Sequence, residues 1–170
     1  VCSLHTGRQF LVVQRTALIN HCRGLLTEFG IIMPLGADKV RRLFAEILAD
    51  ENASVPLFLK DLLQLHLQDL ARLEQRIEAI DKQLAEWAKT NQQAMTLLQM
   101  LGVGVITATA FAAGVCDAQL FENGRQFAAW LGLVPRQYSS GGKNKLGSIT
   151  KAGDVYLRTM LAQGKTKYCL

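Results

Sequence analysis

One pattern restricts this chain more than any other. Leu59, Leu63, His66, Leu70, Leu73, Ile77, Ile80, Leu84 and Trp87 follow one another at spacings that alternate four and three. Such a seam lies along one side of a continuous helix. Charged residues Glu74, Arg76, Glu78, Lys82 and Glu86 lie off it. A sustained seam of this kind predicts a coiled coil or a long helical hairpin. The first half is leucine-rich beyond the seam, with Leu57, Leu62, Leu65 and Leu67. It therefore has more than one face to bury and is expected to pack on other helices of the chain as well. His66 reads as a tolerated polar residue on the seam, of the kind that helps set register.

The segments before the seam supply those helices. Leu4, Leu11, Leu18 and Leu25 recur every seven residues, with Phe10, Ala17 and Cys22 beside them. That predicts a first helix ending at Phe29-Gly30, where glycine suits a left-handed cap. Pro34 and Gly36 mark a turn. Val40, Leu43, Phe44, Ile47 and Leu48 form one face of a second, short helix. Residues 52–56 are a break, and Pro56 fits the first turn of the helix that follows. The fold class is mainly α. The expected division is a helical and coiled-coil region, 1–92, able to join copies through 57–89, and a second domain, 93–170.

Composition narrows the class. Apolar residues make up 49% of the 170, enough for a core and too many for a disordered chain. No run approaches the ~20 uncharged apolar residues of a membrane span. The first residues lack the order of a secretory signal. Cys2, Cys22, Cys116 and Cys169 form no C-x-x-C pair, and His5, His21 and His66 lack zinc-ligand spacing. Reduced thiols, no structural metal and a cytoplasmic setting are expected. The chain begins without methionine and its end carries no closing signal, so both ends read as cut.

Charge is unevenly distributed. Residues 1–124 hold 11 basic and 13 acidic residues, whereas 125–170 hold 8 basic residues against Asp154 alone. Such asymmetry points to a polyanionic partner, above all nucleic acid; the alternative is a solvated basic surface. The cationic centre is Tyr138–Gly153, with four glycines, three lysines and no acid. It reads as a loop or β-hairpin. Its adjacent Ser139 and Ser140 are ordinarily turn residues.

Upstream, a short helix from Ala94 to Leu101 meets Gly102-Val103-Gly104, and a second runs from Val105 to about Ala113. Helix, Gly-apolar-Gly, helix is the pattern of a helix-hairpin-helix. Its glycines permit a tight turn, and the free N–H groups beyond it suit a phosphate oxygen. Many helical pairs also turn on glycines. Asp117, Asn123 and Asp154 are expected caps. Phe127, Ala128, Trp130 and Leu131 are expected core. In the last helix Val155, Leu157, Met160 and Leu161 are expected to face inward and Arg158 outward.

The order of these motifs resembles a known family. Leu101-Gly-Val-Gly, Arg125-Gln-Phe-Ala-Ala-Trp-Leu-Gly-Leu-Val-Pro-Arg, Tyr138-Ser-Ser-Gly-Gly-Lys, Leu146-Gly-Ser-Ile-Thr-Lys-Ala-Gly-Asp and Tyr156-Leu-Arg are similar to the C-terminal domain of a bacterial insertion-sequence transposase family. That family joins a RuvC-like domain bearing a D-E-D-D set to a domain bearing a nucleophilic serine. Its members are bridge-RNA-guided DNA recombinases. The first helix is similar to the one that follows the acidic domain.

The resemblance implies a nucleophile at Ser140, with Ser139 as the fallback, forming a phosphoserine ester with DNA. It implies DNA and a guide RNA as partners, and a nucleoid-associated protein. Gly102, Gly104, Arg136, Lys143, Lys145, Lys151 and Arg158 are the expected nucleic-acid contacts. A serine hydroxyl needs activation, and a phosphoryl transition state needs its charge neutralised. No histidine or carboxylate lies between Asn123 and Gly153. No cofactor is expected in this chain; Mg²⁺ belongs to the acidic domain, expected upstream of Val1. Three readings follow: the serine-bearing part of a transposase, inert alone; a non-catalytic coiled-coil module or transposase remnant that binds DNA or RNA; and a helical assembly protein with a basic surface.

Overall fold

The computed structural model describes residues 1–33, 36–49, 55–115, 118–140 and 143–166. Expectations placed on Pro34, 52–54, Cys116, Asp117 and Cys169 lie outside them. The described chain is mainly helical, with one two-stranded sheet. No helix among the described residues is long and apolar enough to cross a membrane. Two compact units form, Ser3–Lys82 and Gln83–Leu170 with Val1–Cys2, and they divide inside a helix.

The first unit contains α1 (Cys2–Glu28), α2 (Ala37–Ala49) and the first part of α3 (Leu57–Thr90). Leu59, Leu63 and Leu70 of the seam are buried with Cys22 and Leu26 of α1 and Val40 and Phe44 of α2. Each fully buried leucine contributes about 1.5–3 kcal/mol relative to exposure. Arg8 pairs with Asp81 and the His21 ring meets that of His66, so α1 and α3 run in opposite directions. Gly30 takes a φ of +74°, and Ile31 N–H donates back to Leu26 O, closing α1 as a glycine cap does. The backbone carbonyl of Pro56 accepts from Leu59 and Lys60 and opens α3.

The seam is thus occupied within the chain along its first half. Off the seam, Leu62 and Leu67 pack against the core, but Leu57, Phe58 and Leu65 are exposed, as is Phe10 on α1.

The second unit contains α4 (Gln92–Leu98), α5 (Val105–Gly114), α6 (Gly124–Trp130), β1 (Pro135–Ser140), β2 (Lys143–Ile149) and α7 (Val155–Thr166). Asn91 caps α4 and Asn123 caps α6, each side-chain oxygen accepting a backbone N–H three residues on. Asp154 does the same for α7 by accepting from Leu157 N–H. The core joins Ala110 and Phe111 of α5, Leu131 after α6 and Leu157 of α7. Phe121, Phe127 and Trp130 stack around its edge at centroid distances of 5.1–6.0 Å. Trp130 stays exposed and Val155 lies outside the core. A seven-residue helix has only one strongly covered side, and here Leu131 occupies it.

Candidate nucleic-acid interface

The connection between α6 and α7 is an antiparallel hairpin. Its register pairs Pro135 with Ile149, Gln137 with Leu146, Tyr138 with Lys145, Ser139 with Asn144 and Ser140 with Lys143. Opposite Arg136 the strand β2 carries one extra residue, since Gly147 and Ser148 together face it. Residues alternate between the two faces of a strand. Tyr138 and Lys145 therefore fall on one face, and Gln137 and Leu146 on the other, while in the backbone pairing Ser140 stands opposite Lys143 and Ser139 opposite Asn144. Arg136, Gln137, Tyr138, Lys145 and Leu146 are all exposed, so neither face is covered.

A two-stranded hairpin alone is marginally stable in water. This one is anchored at its base. Thr150 N–H donates to Val134 O and Lys151 N–H to Gly132 O. Gly132 has a φ of +72°, and a Cβ there would lie 2.6 Å from Ala152 N. A Cβ on Gly153 would lie 2.5 Å from the Leu131 carbonyl carbon. Only hydrogen fits at either position, and the backbones before β1 and after β2 touch as a result. Arg158 fastens the same place: its Nη1 donates to Leu131 O and to Gly153 O, each at 3.1 Å. Arg158 was expected to face outward; it turns in instead, because two backbone carbonyls there have no other partner as strong as a guanidinium.

The remaining predicted cations separate by place. Arg136 reaches Thr150 O at 3.4 Å from the hairpin base. Lys151, exposed, sits just past β2 with a φ of +57°. Gly102 and Gly104 belong to another element, the α4–α5 turn. Gly102 has a φ of +86° and Gly104 is the extended N-cap residue of α5, with no side-chain cap. The first bond inside α5 runs from Ala108 N–H to Gly104 O. The N–H groups of Val105, Ile106 and Thr107 consequently lack a carbonyl one turn back. α5 is held between α4 and α7, and the buried Thr109 hydroxyl donates to Val105 O.

Two features were not foreseen from sequence. One is the backbone contact between Gly132 and the Ala152-Gly153 segment. The other is Tyr138, whose ring lies over Gly147, where a Cβ would come 2.9 Å from Cε2. The glycines themselves were the only available signal. Among the described residues no three His, Cys, Asp or Glu side chains gather as metal ligands.

Comparison with known proteins places this geometry. Residues 94–168, which include both the α4–α5 turn and the hairpin, match the family described as Transposase IS116/IS110/IS902 family. The chain is 45% identical over 165 residues to "Probable family 20 transposase" of Pseudomonas aeruginosa, covering 96% of this chain and 49% of that protein. It is 40% identical over 157 residues to "Transposase for insertion sequence element IS1111A" of Coxiella burnetii, covering 92% and 43%. With "Transposase for insertion sequence element IS1328" of Yersinia enterocolitica it shares 38% over 161 residues, covering 95% and 47%. The chain spans about half the length of these relatives. The chain is thus similar to insertion-sequence transposases along nearly all of its length, and most of its second unit, residues 94–168, matches the IS116/IS110/IS902 transposase family.

Proposed function

We propose that this chain is the DNA-gripping part of an insertion-sequence transposase, with Ser140 as its nucleophile. The observation that carries the reading is the hairpin register, which pairs Ser140 with Lys143 across the strands, two residues from Lys145. In the reaction the Ser140 oxygen forms a bond to a DNA phosphorus and one phosphodiester oxygen departs with its strand. The hydroxyl proton ends on the departing oxygen. Lys143, Lys145, Lys151 and Arg136 offset the negative charge of the phosphoryl group. The α4–α5 turn works as a helix-hairpin-helix and offers the free N–H groups of α5 to a second phosphate without reading a base. Arg158 acts differently, as a positioning residue for the hairpin base.

An acidic half, supplied in trans or by fusion with Mg²⁺, gives a protein–DNA adduct in this reading. The adduct disappears in Ser140→Ala and persists in Ser139→Ala. Persistence in Ser140→Ala overturns the assignment. The chain alone binds DNA, or a guide RNA, and does not cut, because residues 124–153 contain neither histidine nor carboxylate to activate the serine. Copies join through 57–89 by the exposed side formed by Leu57, Phe58 and Leu65, since the seam itself is occupied. Leu65→Lys then lowers the mass measured by light scattering to that of one chain.

A further inference from the structure

The first unit holds a second cationic feature, unrelated to the basic C-terminal region. An open groove of about 340 Å³ lies between α1 and α3, lined by Gln14, Leu18, Asp69, Arg72, Leu73 and Arg76. Arg72 and Arg76 are one helical turn apart, so both guanidinium groups border one place.

Neighbouring cations of the same unit are matched. Arg8 pairs with Asp81, Arg41 with Glu74 and Lys82 with Glu78. In the groove the only acid is Asp69, which meets Arg72 at 3.5 Å, the edge of hydrogen-bond range. No ion pair of Arg76 occurs among the described residues. Guanidinium groups fit the oxygen spacing of phosphate and bind it in pairs. The groove is open, so it admits a phosphate attached to a chain as readily as a free one.

We propose that the α1–α3 groove is a phosphate-binding site, with Arg72 and Arg76 as its contacts. It stands apart from the hairpin and does not depend on the role given to Ser140. A nucleic-acid backbone running along the helices supplies the phosphate in one case, inorganic phosphate in the other.

The test uses the full chain and an Arg72→Gln/Arg76→Gln double variant, whose exposed positions leave the core untouched; Lys82→Gln/Lys89→Gln is the charge control. Thermal unfolding is followed as inorganic phosphate replaces chloride at constant ionic strength. Binding of a short labelled DNA duplex and an RNA duplex is measured against salt. Phosphate raises the melting temperature of the unaltered chain and the control, and not that of the double variant, because a ligand held only by the folded state stabilises it. If the backbone is the source, the double variant also loses about 0.9 from the log–log salt slope for each duplex contact removed. A melting effect without a slope effect assigns free phosphate. Equal behaviour of the double variant and the control in both measurements overturns the site. A parallel Lys143→Gln/Lys145→Gln variant reports on the hairpin separately: loss of slope there, with neither a slope nor a melting difference in the groove variant, leaves the hairpin reading and removes the groove.

Discussion

Gly153 lies directly against the backbone of Leu131: a Cβ on the glycine would stand 2.5 Å from the leucine's carbonyl carbon. The chain leaves α6, makes the whole hairpin and returns to within van der Waals contact of where it left. That closure turns a two-stranded hairpin into a fixed part of the second unit.

Gly153→Ala is therefore expected to destabilise the second unit by about 2–4 kcal/mol, since neither backbone strand can move without breaking the Lys151–Gly132 bond. Gly114→Ala is a milder comparison, because its Cβ would meet only the Leu157 side-chain tip, at 3.0 Å. Thermal unfolding separates the two. Equal small losses would mean that the closure is soft.

Arg158 and Lys145 are both basic, and they part in experiment. Arg158→Gln removes a donor from two carbonyls and costs about 1–3 kcal/mol of stability. It leaves the salt slope of DNA binding unchanged. Lys145→Gln, at an exposed position, changes stability by less than about 0.5 kcal/mol. It lowers the slope by about 0.9. Denaturant unfolding beside a salt titration of binding checks both.

Cys22 gives the first unit a dependence on alkaline pH. Burial raises its thiol from 9.0 to about 11, with its own backbone hydrogen bond opposing in part. The folded form keeps its proton where the unfolded form has lost it. Stability supplied by the neutral thiol is complete below pH 9 and is lost as pH rises through about 11. The loss is on the order of 2 kcal/mol. Cys22→Ala flattens that decline. A thiol reagent at pH 8 should label the exposed Cys2 rapidly and Cys22 only on unfolding.

His66 works in the opposite direction. Burial, then the nearby His21, lowers its pKa below 6.5. As pH falls below 6.5 the unfolded chain takes up the proton first, so stability is lost on the acid side. Both ring nitrogens are buried and find no hydrogen-bond partner among the described residues. His66→Leu should raise stability by about 1 kcal/mol at neutral pH and remove part of the acid decline. Melting temperatures from pH 5 to pH 8 test it.

The sequence disclosed what periodicity and caps can disclose. The four-three seam, the glycine end of α1 and the caps at Asn123 and Asp154 each depend on a few neighbouring residues, and the structure places all of them as expected. Exposure was harder to read. Phe10, Leu57, Leu65, Trp130 and Val155 are apolar residues whose burial depends on what another element brings to them, and each stays exposed. Arg158 reads as a surface cation because its two carbonyl partners are backbone atoms, which leave no mark on composition. The groove cations were hidden by arithmetic: Arg72 and Arg76 belong to a stretch in which acids outnumber bases, and only the folding of α1 against α3 makes their surroundings a groove.

The register of β1 with β2 has a consequence for how such chains can vary. A strand has parity: each residue gained or lost moves everything beyond it to the opposite side. Removing Gln137 alone would reverse the side of the strand reached by every position between it and the hairpin tip. The strand thus carries a reading frame of its own, laid over that of the gene. Length changes between Pro135 and Ser140 preserve it only in pairs, or when a bulge takes up the odd residue, as β2 already does opposite Arg136.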